Sequence, residues 1–155
     1  MSQCHHTESR RHRRVFWHRA RAARAFAARG DAVVLVARSA EGLDEVAREC
    51  RAAGARPLVV PTDVSDEQAV ERVVAQAVEE FGRIDAWVNC AAVWSYGRFE
   101  DTPSAVFRRI VETTLLGQIH AARSVLPRFR AQGAAFWSTS PPSTVGCPRR
   151  TWRPT

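Results

Sequence analysis

AVVLVA at positions 32–37 is the stretch on which the fold turns. A strand with one wet face alternates apolar with polar residues. A strand covered on both faces carries a continuous β-branched run, and this is one. Two further runs of the same kind follow, PLVV at 57–60 and IDAWVN at 84–89. The segments between them have helical spacing. Leu43, Val46, Ala47 and Cys50 share one face of a helix over 40–53, stopped by Gly54. Val70, Val73, Val74, Ala77, Val78 and Phe81 share a face of the next, ended by Gly82. Upstream, AARAFAAR at 22–29 reads as a helix capped by Gly30. Ser65 to Gln68 has the S-x-x-Q capping-box pattern. Thr102 as N-cap and Pro103 at the first helical position open a long helix reaching about Leu126, with Pro127 near its end.

Strands alternating with helices of this length predict an α/β fold. The expected architecture is a partial Rossmann-like doubly wound parallel sheet with three legible strands. The chain of 155 residues divides into an irregular basic segment (1–21), a partial Rossmann-like α/β domain (22–132) and an irregular tail (133–155) rich in Pro.

Apolar residues make up 45% and charged residues 25% of the chain, as in an ordinary globular protein. The net charge is +7, yet residues 1–30 carry +7, residues 31–130 carry −3 and residues 131–155 carry +3. The basic excess therefore sits in the two ends. All 23 basic residues are Arg, so no lysine-dependent chemistry can be completed within the chain. Cys4, Cys50, Cys90 and Cys147 form no CxxC pair, which points to a reducing, cytoplasmic setting. Cys4, His5 and His6 are adjacent residues, which do not supply the geometry of a metal site, so no metal is expected. There is no apolar run of membrane-spanning length and no apolar stretch of a signal peptide in the first thirty residues.

Ligands of doubly wound sheets bind beyond the carboxyl ends of the strands. Three such ends are legible. Arg38 follows AVVLVA and could pair with a phosphate or remain a solvated loop residue. Asp63 and Val64 follow PLVV-Pro-Thr, where Asp63 could accept from an adenine amino group or cap the next helix. Asn89, Cys90, Ala91 and Ala92 end the third strand, and small residues there let a ligand approach the backbone closely.

Together these features resemble the short-chain dehydrogenase/reductase family over residues 22–132. Arg38 lies where members favouring NADP carry a basic residue. Thr62-Asp63-Val64 looks like the family's adenine-contacting Asp-Val. Val88 to Ala92 is similar to its VNNAG segment, with Cys90 for the second Asn and Ala92 for Gly. Thr113 to Gly117, with Leu126-Pro127, is similar to its long helix, and Thr114 falls at the catalytic Asn. The resemblance implies hydride transfer between NADP (NAD is possible) and a small alcohol or carbonyl substrate, with oligomers formed through helix 103–126. It implies no membrane partner, and nucleic acid is not its ligand.

The departures are equally specific. The family's glycine-rich turn, TGxxxGIG, aligns with His12 to Arg19, which holds no glycine. Its Ser, Tyr and Lys have no counterparts at matching positions, since the only tyrosine is Tyr96. No catalytic group is intact, and poor cofactor affinity and no activity are expected. Both ends look frameshifted and the chain truncated. With GC-rich codons, Arg11 to Arg21 shifted by one base reads V-T-G-A-S-S-G-I-G-R, placing G-I-G over Trp17, His18 and Arg19. The tail shifted by two bases reads as a strand, a Ser pair and a Tyr at the family's spacing. The alternative is a non-catalytic binding module whose basic arm binds nucleic acid.

Overall fold

The computed structural model describes residues 20–133 and 136–139. Helix α1 covers residues 20–27, and Gly30 beyond it takes a left-handed φ of 77°. Strand β1 (Ala32–Ala37), helix α2 (Ala40–Ala52), strand β2 (Arg56–Pro61) and helix α3 (Glu67–Phe81) follow. Then come strand β3 (Ala86–Val88), helix α4 (Ser104–Ile110), a π-helical turn (Val111–Leu116), helix α5 (Gly117–Gln132) and strand β4 (Phe136–Ser138).

The sheet consists of two parallel pairs, β1 with β2 and β3 with β4. Successive side chains of a strand point to opposite faces, and β1 uses both. Leu35 and Ala37 enter a cluster with Ala23 and Ala27 of α1 and Leu43, Val46, Ala47 and Cys50 of α2. Val34 packs on the other side with Val74 and Ala77 of α3 and Val125 and Phe129 of α5. Trp87 of β3 and Trp137 of β4 join that second cluster. Helices on both faces explain why the β1 run is apolar throughout. A bidentate pair from Arg24 to Glu49, 2.6 and 2.7 Å, ties α1 to α2 at the surface. Hydrogen bonding to Arg24 holds the Glu49 carboxyl below its ordinary range.

The architecture is the expected α/β parallel sheet, and several local expectations are corrected. A fourth strand, Phe136–Ser138, lies in the segment read as an irregular tail. It pairs with β3, with Trp87 opposite Trp137. The cap of α3 is Asp66, not Ser65: Asp66 accepts from the Ala69 amide at 3.1 Å. Ser65 is taken up by Asp63, to which both its amide and its hydroxyl donate. Thr102 does not cap α4, since its hydroxyl donates to the Arg98 carbonyl at 3.0 Å and Pro103 is the cap residue. Pro127 lies inside α5, which continues to Gln132 before Gly133 turns left-handed at φ 77°. The long helix is also interrupted by the π turn, in which i→i+5 bonding accommodates an extra residue. Cys4, His5, His6, the basic arm and most of the tail lie outside the described residues. Among the described residues, no helix is long and apolar enough to cross a membrane.

Candidate functional site

The carboxyl ends of β1, β2 and β3 open into one cleft of 1210 Å³. Arg38, Asp63, Val64 and the run Asn89 to Ala92 all line it. Positions up to 54 residues apart in sequence are thus brought together by the shared direction of the strands. Arg38 is exposed on the rim just beyond β1. Thr62 joins the ends of β1 and β2. Its amide donates to the Ala37 carbonyl at 2.8 Å and its hydroxyl to the Val60 carbonyl at 3.1 Å. That bond sets where Asp63 and Val64 project.

Asp63 is the most heavily bonded of the group. Its Oδ1 accepts from the Ser65 amide (3.0 Å) and hydroxyl (2.7 Å), and its Oδ2 accepts from Arg109 of α4 at 2.6 Å. Burial pushes this carboxyl up, but the hydrogen bonds from Arg109 and Ser65 more than offset it and hold the pKa at about 2. A carboxylate offers about four acceptor positions, so Oδ2 keeps one for a ligand amino group. Val64 is held by α5. His120 Nδ1–H donates to the Val64 carbonyl at 3.1 Å. A Cβ on Gly117 would stand 2.8 Å from Val64 Cγ2, so only glycine lets the helix come this near. Arg109, Gly117 and His120 therefore anchor the 62–65 loop from one helical face. Arg109 and His120 were not among the residues singled out from the sequence. Their signal was the recurrence of Arg109, Thr113, Gly117 and His120 at intervals of four, four and three residues.

The third strand end is anchored by Thr114. Its hydroxyl accepts from the Val93 amide at 3.0 Å and donates to the Val93 carbonyl at 3.1 Å. One hydroxyl thus pairs both polar backbone groups of a residue, and it fixes the exit of the Asn89–Ala92 run. Thr114 sits within the π turn, where bulges of this kind frequently mark functional sites. Asn89 is buried and its amide donates to the Ser138 carbonyl at 2.9 Å. Its Nδ2 and the Thr113 hydroxyl are buried and have no hydrogen-bond partner among the described residues. Among the described residues, no group of His, Cys, Asp and Glu could hold a metal ion.

The sequence model of a family described as enoyl-(acyl carrier protein) reductase matches residues 20–153. The chain belongs to the short-chain dehydrogenase/reductase family. It is 38% identical over 113 residues to cis-4-hydroxycyclohexanecarboxylate dehydrogenase of Sinomonas cyclohexanicum, covering 72% of this chain and 45% of that one. The crystal structure of levodione reductase superposes with a TM-score of 0.73 at 30% identity, covering 81% of this chain and 49% of that one. L-sorbose reductase from Gluconobacter frateurii, solved with NADPH and L-sorbose, gives 0.69 at 30% identity, with 75% and 45% covered. The chain spans about half the length of these oxidoreductases.

Two predictions follow from the anchors. Asp63 has a folded pKa of about 2 against an ordinary 3.8, so its contribution is complete above pH 3.8 and lost as pH falls through 2. Asp63→Asn should remove stability at neutral pH and flatten its fall across that window in acid unfolding curves. Equal slopes in the two proteins would refute the linkage. Thr114→Val deletes both bonds to Val93 and should cost about 1–2 kcal/mol, with faster exchange of the Val93 amide. Thr114→Ser should retain both bonds, and unchanged exchange in the valine variant would rule the anchor out.

Proposed function

We propose that this chain is the dinucleotide-binding half of an NADP-dependent short-chain reductase that binds its cofactor poorly and does not turn over in its present form. The support is the convergence of Arg38, Asp63, Val64 and Asn89 to Ala92 on one cleft. The adenosine half of NADP fits these residues. Arg38 offers a forked guanidinium for a ribose phosphate. Asp63 Oδ2 has an acceptor position left for the adenine amino group. Ala91 and Ala92 leave the backbone open to close approach. When bound, the cofactor supplies a hydride-carrying nicotinamide ring. The chain's part is to orient it: Thr114 holds the Asn89–Ala92 run, and His120 and Gly117 hold the loop bearing Asp63 and Val64.

The pyrophosphate is where the chemistry fails. A glycine-rich turn lets backbone amides reach the phosphates at a helix N-terminus. Trp17, His18 and Arg19 stand immediately before α1 instead. We read residues 11–21 and the tail after Gly133 as out-of-frame versions of the turn and of the Ser- and Tyr-bearing segment. The substrate class is a small alcohol or carbonyl, as in the relatives named above. A second copy docks on the stripe Val111, Leu115 and Ile119, each at least 42% exposed at four-residue spacing on the long helix. The buried Cys50 thiol, whose pKa burial raises, suits the reducing cytoplasm.

The test pairs the native chain with a variant in which residues 11–20 read V-T-G-A-S-S-G-I-G-R. NADPH titration followed by nucleotide fluorescence should show the variant binding about tenfold tighter or more. Neither protein should oxidise NADPH with a carbonyl substrate. Equal affinities would overturn the out-of-frame reading, and turnover by the native chain would overturn its inactivity.

A further inference from the structure

Asp63 and Val64 line the cleft, while Ser65 and Arg109 stand outside its wall. Asp63, Ser65 and Arg109 nevertheless form one closed ring. Arg109 Nη2 donates to Asp63 Oδ2 at 2.6 Å, and Nη1 donates to the Ser65 hydroxyl at 3.2 Å. That hydroxyl donates to Asp63 Oδ1 at 2.7 Å. A serine hydroxyl has one proton, so giving it to Asp63 leaves the oxygen to accept from Arg109. Each member of the ring thereby fixes the other two.

Local structure alone does not orient this carboxylate. The Ser65 amide and hydroxyl both reach Oδ1 from two residues away, as in an Asx turn, and this holds one oxygen. The χ2 torsion of Asp is broad, so the plane of the group stays soft about that point. Arg109 takes the second oxygen from a separate element 46 residues along the chain, and its planar fork sets the plane. With two donors on Oδ1, the acceptor position left to a ligand is on Oδ2, the atom that Arg109 grips. The bonds from Arg109 and Ser65 also hold the carboxyl ionised well into acid, and an ionised carboxylate only accepts.

We propose that Arg109 is the positioning residue that makes the base pocket select 6-aminopurines over 6-oxopurines. It acts through Asp63 and touches no ligand itself. The inference rests on the NADP reading above and adds base selection to it. A 6-amino group donates to Oδ2. A 6-oxo group sets an acceptor against an acceptor, and a carboxylate fixed at both oxygens does not turn aside to relieve the clash. Without Arg109, Asp63 pivots on its Asx turn, and the penalty on the 6-oxo base fades.

The test uses the full 155-residue chain and two probes that need no grip on a pyrophosphate, adenosine 2′-monophosphate and inosine 2′-monophosphate. The amide shift of Val64 follows the binding of each by NMR. The native chain should favour the adenine nucleotide by about tenfold or more. Arg109→Met should reduce that preference to about twofold or less. A merely structural role would weaken both nucleotides together and leave their ratio alone. Ser65→Ala opens the ring while keeping the bond from Arg109 to Asp63, and should give an intermediate ratio. It carries the test if the methionine variant does not fold. Arg123→Met, which breaks the pair between Arg123 of α5 and Glu67, should keep the native ratio. Equal binding of the two nucleotides by the native chain, or a native ratio in a folded ring variant, would overturn this proposal and leave the NADP reading standing. Absence of binding by either nucleotide would overturn that reading and this proposal with it.

Discussion

Everything in this molecule depends on the apolar layer that α3 and α5 lay beneath both halves of the sheet. Val74, Ala77, Ile84, Val125 and Phe129 are buried there, with Val34 of β1 and both Trp87 and Trp137 packed against them. No strand ladder connects β1 to β3 among the described residues, and side-chain packing on this layer joins the two halves. Burial is non-directional, and its strength follows the apolar area removed from water. The two tryptophans supply much of that area for β3 and β4, which are only three residues long each. Alignment of the halves is also what places the carboxyl ends of β1, β2 and β3 on one cleft.

The site inherits its geometry from that layer through three anchors reaching up from the long helix. Arg109 bonds Asp63, His120 bonds the Val64 carbonyl and Thr114 bonds both polar groups of Val93. Gly117 contributes by lacking a side chain, since a Cβ there would meet Val64 at 2.8 Å. The π turn between α4 and α5 lies amid these anchors. It lets Arg109 and His120 reach one loop while Thr114 reaches another. The Thr114 hydroxyl donates and accepts at once, which is what lets a single side chain hold Val93.

Much of this was legible from residue pattern. Continuous β-branched runs gave away β1 and β2, because doubly covered strands need no polar alternation. The apolar face of α2 was read residue for residue, and that of α3 at Val70, Val73, Val74 and Ala77, while Val78 and Phe81 are only half-buried. β4 was not, because Phe136-Trp137-Ser138 is too short to show a period and is specified by Trp87 across the ladder. The cap of α3 slipped by one residue because Ser65 and Asp66 are both good caps, and the tertiary bond from Asp63 to Ser65 decided between them. Pro127 misled because a proline can persist within a helix whose neighbouring turn, at Val125 and Phe129, is fully packed. The strand-end residues were chosen by position, and they line one cleft. The residues that hold them, Arg109 and His120, act across 46 and 56 residues of sequence, and local pattern carries little of that.

The central claim is that one helix layer makes the two half-sheets a single cooperative unit. The most direct measurement is the unfolding of Phe129→Ala, followed at once by tryptophan fluorescence for β3 and β4 and by amide exchange for β1 and β2. Phe129 is 2% exposed at the centre of the layer, and its truncation should cost about 3–5 kcal/mol. The account predicts that both halves lose stability together and by the same amount. A variant in which β1 and β2 keep their full protection while the tryptophan signal shifts would contradict it.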